Sequence, residues 1–107
     1  MTMTAKERRE MIRRAEGLYY PCSFGIHVCG DKDGAAATLG NVRARDAQQA
    51  RVIFEAAKAE AAVSKDEDWD MVVDLNLGEG NLHSEDFCIR RQMLDRCLAA
   101  ARAALSA

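Results

Sequence analysis

Alternation of apolar and polar residues marks three segments of the chain as predicted strands. Residues 18–29 and 71–77 alternate with a period of two, as expected for a strand with one buried face. Residues 35–45 alternate less regularly, and Gly40 within them predicts a bulge or a bend. Residues 30–34 are rich in glycine and aspartate, which is typical of a turn, so the chain is expected to return there.

A helical spacing of apolar residues predicts a helix that begins after Asp46. Asp46 can cap its first turn, and Gln49 stands at the third position, as in a capping box. Arg51 and Glu55 are four residues apart on the exposed side, where opposite charges stabilise a helix. The apolar stripe of this helix consists of Ala50, Ile53, Phe54, Ala57 and Ala61.

Two further helices are predicted at the ends of the chain. Residues 5–16 are strongly charged and are followed by Gly17, so this N-terminal helix is expected to dock only lightly. A long last helix is expected over residues 84–105, with Ser84 as its N-cap. Its apolar surface is broad enough for two contacts, one with its own sheet and one with a second copy of the chain. The predicted homodimer interface consists of Leu94, Leu98, Ala101 and Leu105.

These elements follow one another in the order α-β-β-α-β-α, which predicts an α+β fold in a single domain of residues 1–107. The expected sheet has three strands, is mainly antiparallel and is packed by helices. Such a sheet is about 14 Å wide, which leaves room for two helices on one face. The third helix must therefore cover the other face or pack against another copy of the chain.

Composition indicates the class of protein and the compartment in which it acts. With 49% hydrophobic and 30% charged residues, the chain has the composition of an ordinary globular domain. Its N-terminus is too charged for a secretory signal, and no apolar run reaches the ~20 residues that span a bilayer. These features predict a cytoplasmic protein without a membrane partner, in which the four cysteines remain buried thiols.

Negative charge is concentrated in one part of the chain. Residues 64–87 carry one positive and eight negative side chains, whereas residues 1–20 carry five positive and three negative ones. The acidic cluster around the one tryptophan is either neutralised within the protein or exposed as a face that binds a partner. The predicted partner-binding residues are Asp66, Glu67, Asp68, Trp69 and Asp70.

The segment LNLGEGNLHSEDF, residues 75–87, resembles a chemical site, but a turn between two elements explains it better. Gly78 and Gly80 fit neither phosphate-binding glycine motif, and the nearby Glu79 would repel an anion. A metal site is also poorly supported, because the chain has no paired C-x-x-C or H-x-x-x-H module. The weak metal candidates are His27, Cys29, His83 and Cys88, and no cofactor is expected.

Two other classes of function remain as alternatives. A small metal- or ligand-binding protein or an enzyme would need His27 and Asp74 to meet across the sheet, with His83 close to them. A nucleic-acid-binding protein would use the arginines of the first and last helices, although a sequence pI of ≈ 5.7 makes this partner less favourable.

The sequence favours a non-enzymatic protein-protein interaction module that acts as a small adapter or inhibitor. An acidic face would bind another protein, and the last helix would form a homodimer. Small inhibitors carried by phages and mobile elements, anti-CRISPR proteins among them, often combine small size with one such face. No residue motif of this chain supports that narrower assignment.

Overall fold

A computed structural model describes residues 24–32, 35–61, 71–78 and 85–106, together with Thr4 and Glu7. Within these residues the predicted α+β class is confirmed, but the elements follow in the order β-β-α-β-β-α, so the predicted order α-β-β-α-β-α is wrong where it lacks a strand before the last helix. The helix predicted over residues 5–16 and the first part of the first predicted strand lie outside the described residues.

Four antiparallel strands form one sheet, and the prediction of three strands is therefore wrong by one. Their order across the sheet is β2-β1-β3-β4, so β1 and β3 occupy the centre. The strands are β1, Phe24–Lys32; β2, Ala35–Arg43; β3, Met71–Leu77; and β4, Glu85–Ile89.

Strand β4 occupies the beginning of the segment for which the sequence predicts one helix over residues 84–105. That prediction is wrong for residues 85–93, because β4 pairs with β3 along its whole length and a short 3-10 turn, Arg91–Met93, follows. Phe87 and Ile89 point into the apolar layer, and together with Cys88 they form a short apolar run that periodicity alone does not assign to a strand or a helix. Pairing with β3 supplies hydrogen-bond partners for the backbone of this segment, and this pairing makes the segment a strand.

Two helices complete the described fold. Helix α1, Ala47–Glu60, begins after Asp46 as predicted, and the Gln49 backbone N–H donates to Asp46 Oδ1 at 2.8 Å. The Gln49 side chain accepts in turn from the Arg45 backbone N–H at 2.8 Å, which stabilises the turn that leads into the helix. Helix α2, Leu94–Leu105, has no side-chain cap at its N-terminus. Neither of these two described helices is long and apolar enough to cross a membrane.

The hydrophobic core lies between one face of the sheet and the two helices. Helix α1 packs over β1 and β3, and α2 packs beside α1 and over β2. The rings of Phe54 from α1 and Phe87 from β4 meet with their centroids 5.2 Å apart, a tilted arrangement that favours aromatic pairs. The sheet contributes Ile26, Val28, Val42, Met71, Val73, Leu75, Phe87 and Ile89 to this core.

Gly40 lies at an irregularity between β1 and β2, as the sequence predicts. Val28 pairs with Gly40 and Cys29 with Thr38, so Leu39 is the additional residue of a β-bulge. A Cβ at position 40 would lie 2.9 Å from Leu98 Cδ1. The missing side chain therefore lets α2 approach β2 closely.

We predict that Gly25→Ala strongly destabilises the protein. Gly25 has φ of +134°, and a Cβ there would collide with the backbone carbonyl oxygen of Val42. The loss of unfolding free energy should be about 3 kcal/mol or more, because neither the strain nor the clash can be relieved without moving a strand.

Urea unfolding followed by circular dichroism measures this loss, and Gly40→Ala is the matched control. The control substitution meets only the end of the Leu98 side chain, which can shift, so about 1 kcal/mol is expected. Equal losses in the two variants would contradict the account given for Gly25.

Candidate functional site

The sheet buries polar side chains on the face opposite the helices. His27, Asp74 and Asn76 are each at most 1% exposed, and they alternate along β1 and β3 with the residues of the apolar core. The prediction that residues 71–77 form a half-buried strand is therefore wrong, because Met71 to Asn76 are buried on both faces. Polar groups are costly to bury, which makes this polar face the first candidate site.

Strand register brings four polar side chains, His27 and Asp74 among them, into one line, which we call the polar row. Asn41 pairs with His27, His27 with Asp74, and Asp74 with Asp86, so the row crosses all four strands. Directly opposite residues of antiparallel strands have Cβ atoms about 5 Å apart. The encounter of His27 with Asp74 that the sequence suggested therefore occurs, whereas His83 lies outside the described residues.

Two cysteines border the polar row on the same face of the sheet. Cys29 Sγ lies 3.7 Å from Thr38 Oγ1, and Cys88 pairs with Val72, which itself pairs with Cys29. Val72 thus separates the two thiols. Among the described residues, no three His, Cys, Asp or Glu side chains are grouped closely enough to hold a metal ion.

A second candidate site is an open pocket at the beginning of α1, which we call the α1 pocket. Its walls are predominantly apolar, its volume is ≈ 360 Å³, and it is lined by Ala47, Gln48, Arg51, Val52 and Leu77. Within the part of the chain that the structure describes, Val52 is the one large hydrophobic side chain that is exposed, by 50%. An exposed apolar side chain beside an apolar pocket is typical of a binding surface.

Sequence reasoning missed the α1 pocket, although one signal for it is present. Val52 lies on the exposed side of α1 between two polar residues, Gln48 and Glu55. The α1 pocket also needs Leu77 at the end of β3, which comes next to α1 only in the folded protein. No local pattern indicates that these two segments meet.

Arg51, which lines the α1 pocket, belongs to a set of exposed ion pairs. Arg51 Nη1 lies 3.8 Å from Glu55 Oε1 and 3.5 Å from Glu85 Oε1, and Lys58 Nζ lies 3.7 Å from Glu85 Oε2. The Arg51–Glu55 pair is the one predicted from the helical spacing. All four side chains are more than a third exposed, so these ion pairs contribute little stability and can exchange partners.

The residues of the predicted homodimer interface contact the core of their own chain. Leu98 and Ala101 are buried in that core, and Leu94 and Leu105 pack against it from the sides. The broad apolar face of α2 is thus covered largely within one chain. The predicted partner-binding residues Asp66, Glu67, Asp68, Trp69 and Asp70 lie outside the described residues.

Cys97 on α2 is also buried, and its chemistry follows from that position. Burial raises the pKa of the Cys97 thiol above its ordinary value of 9.0, and the negative charge of Glu60 raises it further. The thiol is therefore protonated at neutral pH and is a poor nucleophile. It acts as a small apolar side chain within the hydrophobic core.

The chain matches no known family model, no curated protein and no solved structure. Within the described residues, fold and site define a small α+β domain with a polar, buried sheet face and an open apolar pocket. Its function must be inferred from these two features.

We predict that His27 and Asp74 stabilise the fold as a coupled pair. His27→Ala and Asp74→Ala should each lower the unfolding free energy by about 2 to 3 kcal/mol, because each leaves a buried polar neighbour behind. The double variant should lose about 1 kcal/mol less than the two single losses together. Urea unfolding of all four proteins measures this coupling, and strictly additive losses would show that the two side chains do not interact.

Proposed function

We propose that the protein is a non-enzymatic protein-protein interaction module, an adapter or an inhibitor, that binds through the outer surface of α1. The observation that carries this proposal is the exposed Val52 beside the α1 pocket. Hydrophobic side chains that remain exposed next to a concave apolar surface are common anchor points of protein interfaces.

The occupant that suits the α1 pocket is an apolar side chain of a protein. The pocket is open, and its described polar lining consists of Gln48 and the charged Arg51. These two residues offer no nucleophile and no carboxylate for acid-base chemistry. Binding rather than turnover is the function that such a surface supports.

The rim of the α1 pocket adds specificity to this binding. Arg51 is a fork-shaped donor that can bind a carboxylate in bidentate fashion, and among the described residues its ion pairs are the exposed ones with Glu55 and Glu85. A partner whose apolar anchor is accompanied by a carboxylate can therefore replace one of these contacts at small cost.

The acidic segment around Trp69 is proposed as a second contact with the partner. It directly precedes β3, which begins at Met71. Its cluster of carboxylates would attract a basic surface from a distance and increase the rate of association, while an apolar anchor in the α1 pocket would limit dissociation.

Photo-crosslinking tests both surfaces of the proposed module. A photoreactive phenylalanine analogue at position 52 or 69 should form covalent adducts with protein in the lysate of the source cell, and the same group at the exposed Ala99 of α2 should not. The adducts should disappear when excess unmodified protein competes for the partner.

Each position gives a separate answer. Competed adducts from position 52 support the α1 surface, and competed adducts from position 69 support the acidic segment. If neither position gives more adduct than position 99, the protein is not an interaction module of the kind proposed.

A second candidate function, a small-ligand-binding protein or an enzyme, is favoured by the burial of His27 directly opposite Asp74. Such pairs orient protons in many active sites, although here the two side chains are sealed from solvent. Native mass spectrometry of the purified protein should then show a retained ligand that Asp74→Asn releases. A mass equal to that of the chain alone, in both proteins, would remove this candidate.

A further inference from the structure

We infer that the outer surface of α2 binds the phosphate backbone of double-stranded DNA, with Arg96 and Arg102 as its phosphate contacts. This surface lies on a different helix from the α1 pocket, so the inference goes beyond the proposed function and does not depend on it.

Positive charge is neutralised near α1 but not on α2. Arg45, Arg51 and Lys58 each lie between 3.5 and 3.8 Å from a carboxylate oxygen. Within the described ranges, by contrast, Arg96 and Arg102 of α2 form no ion pair, although both side chains are exposed. Two exposed cations without a carboxylate beside them are available to the anionic groups of a partner.

The positive charge of this region comes from arginine alone. Residues 88–107 carry four positive side chains and one negative, and no lysine is among them. The guanidinium group is a planar fork of N–H donors that matches the oxygens of a phosphate group. The four arginines are all exposed: Arg90 and Arg91 before α2, and Arg96 and Arg102 on it.

The two arginines of α2 lie on either side of a small residue, Ala99. Because successive residues of a helix are about 100° apart, Arg96 lies about 60° from Ala99 in one direction and Arg102 about 60° in the other. All three residues are exposed, and so is Ala103 one turn further on. The helix is therefore narrow at the middle of its outer face, where it can approach a ligand closely while the arginines extend on both flanks.

Double-stranded DNA suits this arrangement. The major groove of B-DNA is about 12 Å wide and admits an α-helix, and phosphate groups line both of its edges. A helix with one arginine on each flank can contact both edges at once. These contacts position a protein on DNA without reading its sequence.

Two other anionic partners suit the surface less well. Single-stranded nucleic acid is held by exposed aromatic side chains that stack on its bases. An acidic protein is held by a large apolar or aromatic side chain at the centre of the interface. Helix α2 lies wholly within the described ranges, and its exposed apolar positions are alanines, Ala99 and Ala103.

Fluorescence anisotropy of a short labelled DNA duplex tests the inference on the full chain. At about 50 mM salt the protein should bind with a Kd of about 10⁻⁶ to 10⁻⁴ M, whatever the sequence of the duplex. The logarithm of the association constant should fall linearly with the logarithm of the salt concentration. A slope of about −2 or steeper is expected, since each contacted phosphate contributes about −0.9.

Paired substitutions assign this binding to α2. Arg96→Ala with Arg102→Ala should lower the affinity at least about tenfold and flatten the slope by about 1.8. The matched control, Arg45→Ala with Lys58→Ala, removes the same charge near α1 and should leave the slope unchanged. Arg96→Lys with Arg102→Lys should also keep the slope, because it preserves both charges.

Asp95 offers a test in the opposite direction. It is exposed in the first turn of α2, about 40° from Ala99 around the helix, so its carboxylate repels a phosphate backbone at this surface. Asp95→Asn should therefore raise the affinity about threefold. Loss of structure cannot produce such a gain, and circular dichroism should show this variant and the arginine variants folded, because the changed positions are exposed.

Three results would overturn the inference: no duplex binding at low salt, a double arginine variant that behaves like its control, or single-stranded DNA bound at least as tightly as the duplex. None of them bears on the α1 surface, which the crosslinks from position 52 test separately. Duplex binding that depends on Arg96 and Arg102, without crosslinks to any protein, would keep the DNA-binding surface and reject the interaction module.

Discussion

The antiparallel pairing of β3 with β1 is the constraint on which the described structure depends. Seven residue pairs, from Phe24↔Leu77 to Gly30↔Met71, join the two central strands, and both strands are buried on both faces over most of this length. The same register determines which side chains lie on each face of the sheet, because a shift by one residue would move every side chain of a strand to the opposite face. His27 and Asp74 would then enter the apolar layer under α1, where neither could be accommodated.

Much of this architecture can be predicted from the sequence where a local pattern and the tertiary fold agree. Asp46 caps α1 as its sequence context predicts, β3 spans the residues that alternation indicates, and the bulge lies next to Gly40. The segment around Phe87 and Ile89 shows the limit, since a run of three apolar residues is too short for its periodicity to separate a strand from a helix. Its pairing with β3 depends on residues distant in the sequence, and no local signal could reveal it.

The two candidate sites also differ in how far the sequence predicts them. Alternation alone places His27 and Asp74 on the second face of the sheet, and the strand order then makes them neighbours. The α1 pocket requires Leu77 to approach Val52 across the gap between a strand end and a helix, which depends on the three-dimensional packing of α1 on the sheet. Helix α1 thus packs against the core with one side and leaves Val52 and the α1 pocket open on the other, so its outer side can be substituted while the core is preserved.

The central position of β1 also has a consequence for the order in which the protein folds. β2 follows β1 closely in the sequence and pairs with it locally, whereas the pairing of β3 with β1 closes a longer loop that contains α1. Non-local strand pairing slows folding, because the entropy of closing a long loop is lost before the contacts form. Until β3 arrives, β1 presents an unpaired edge and the apolar side chains of Ile26 and Val28. A β1–β2 hairpin without β3 would thus offer an open strand edge to another chain, and the β1–β3 pairing removes that edge.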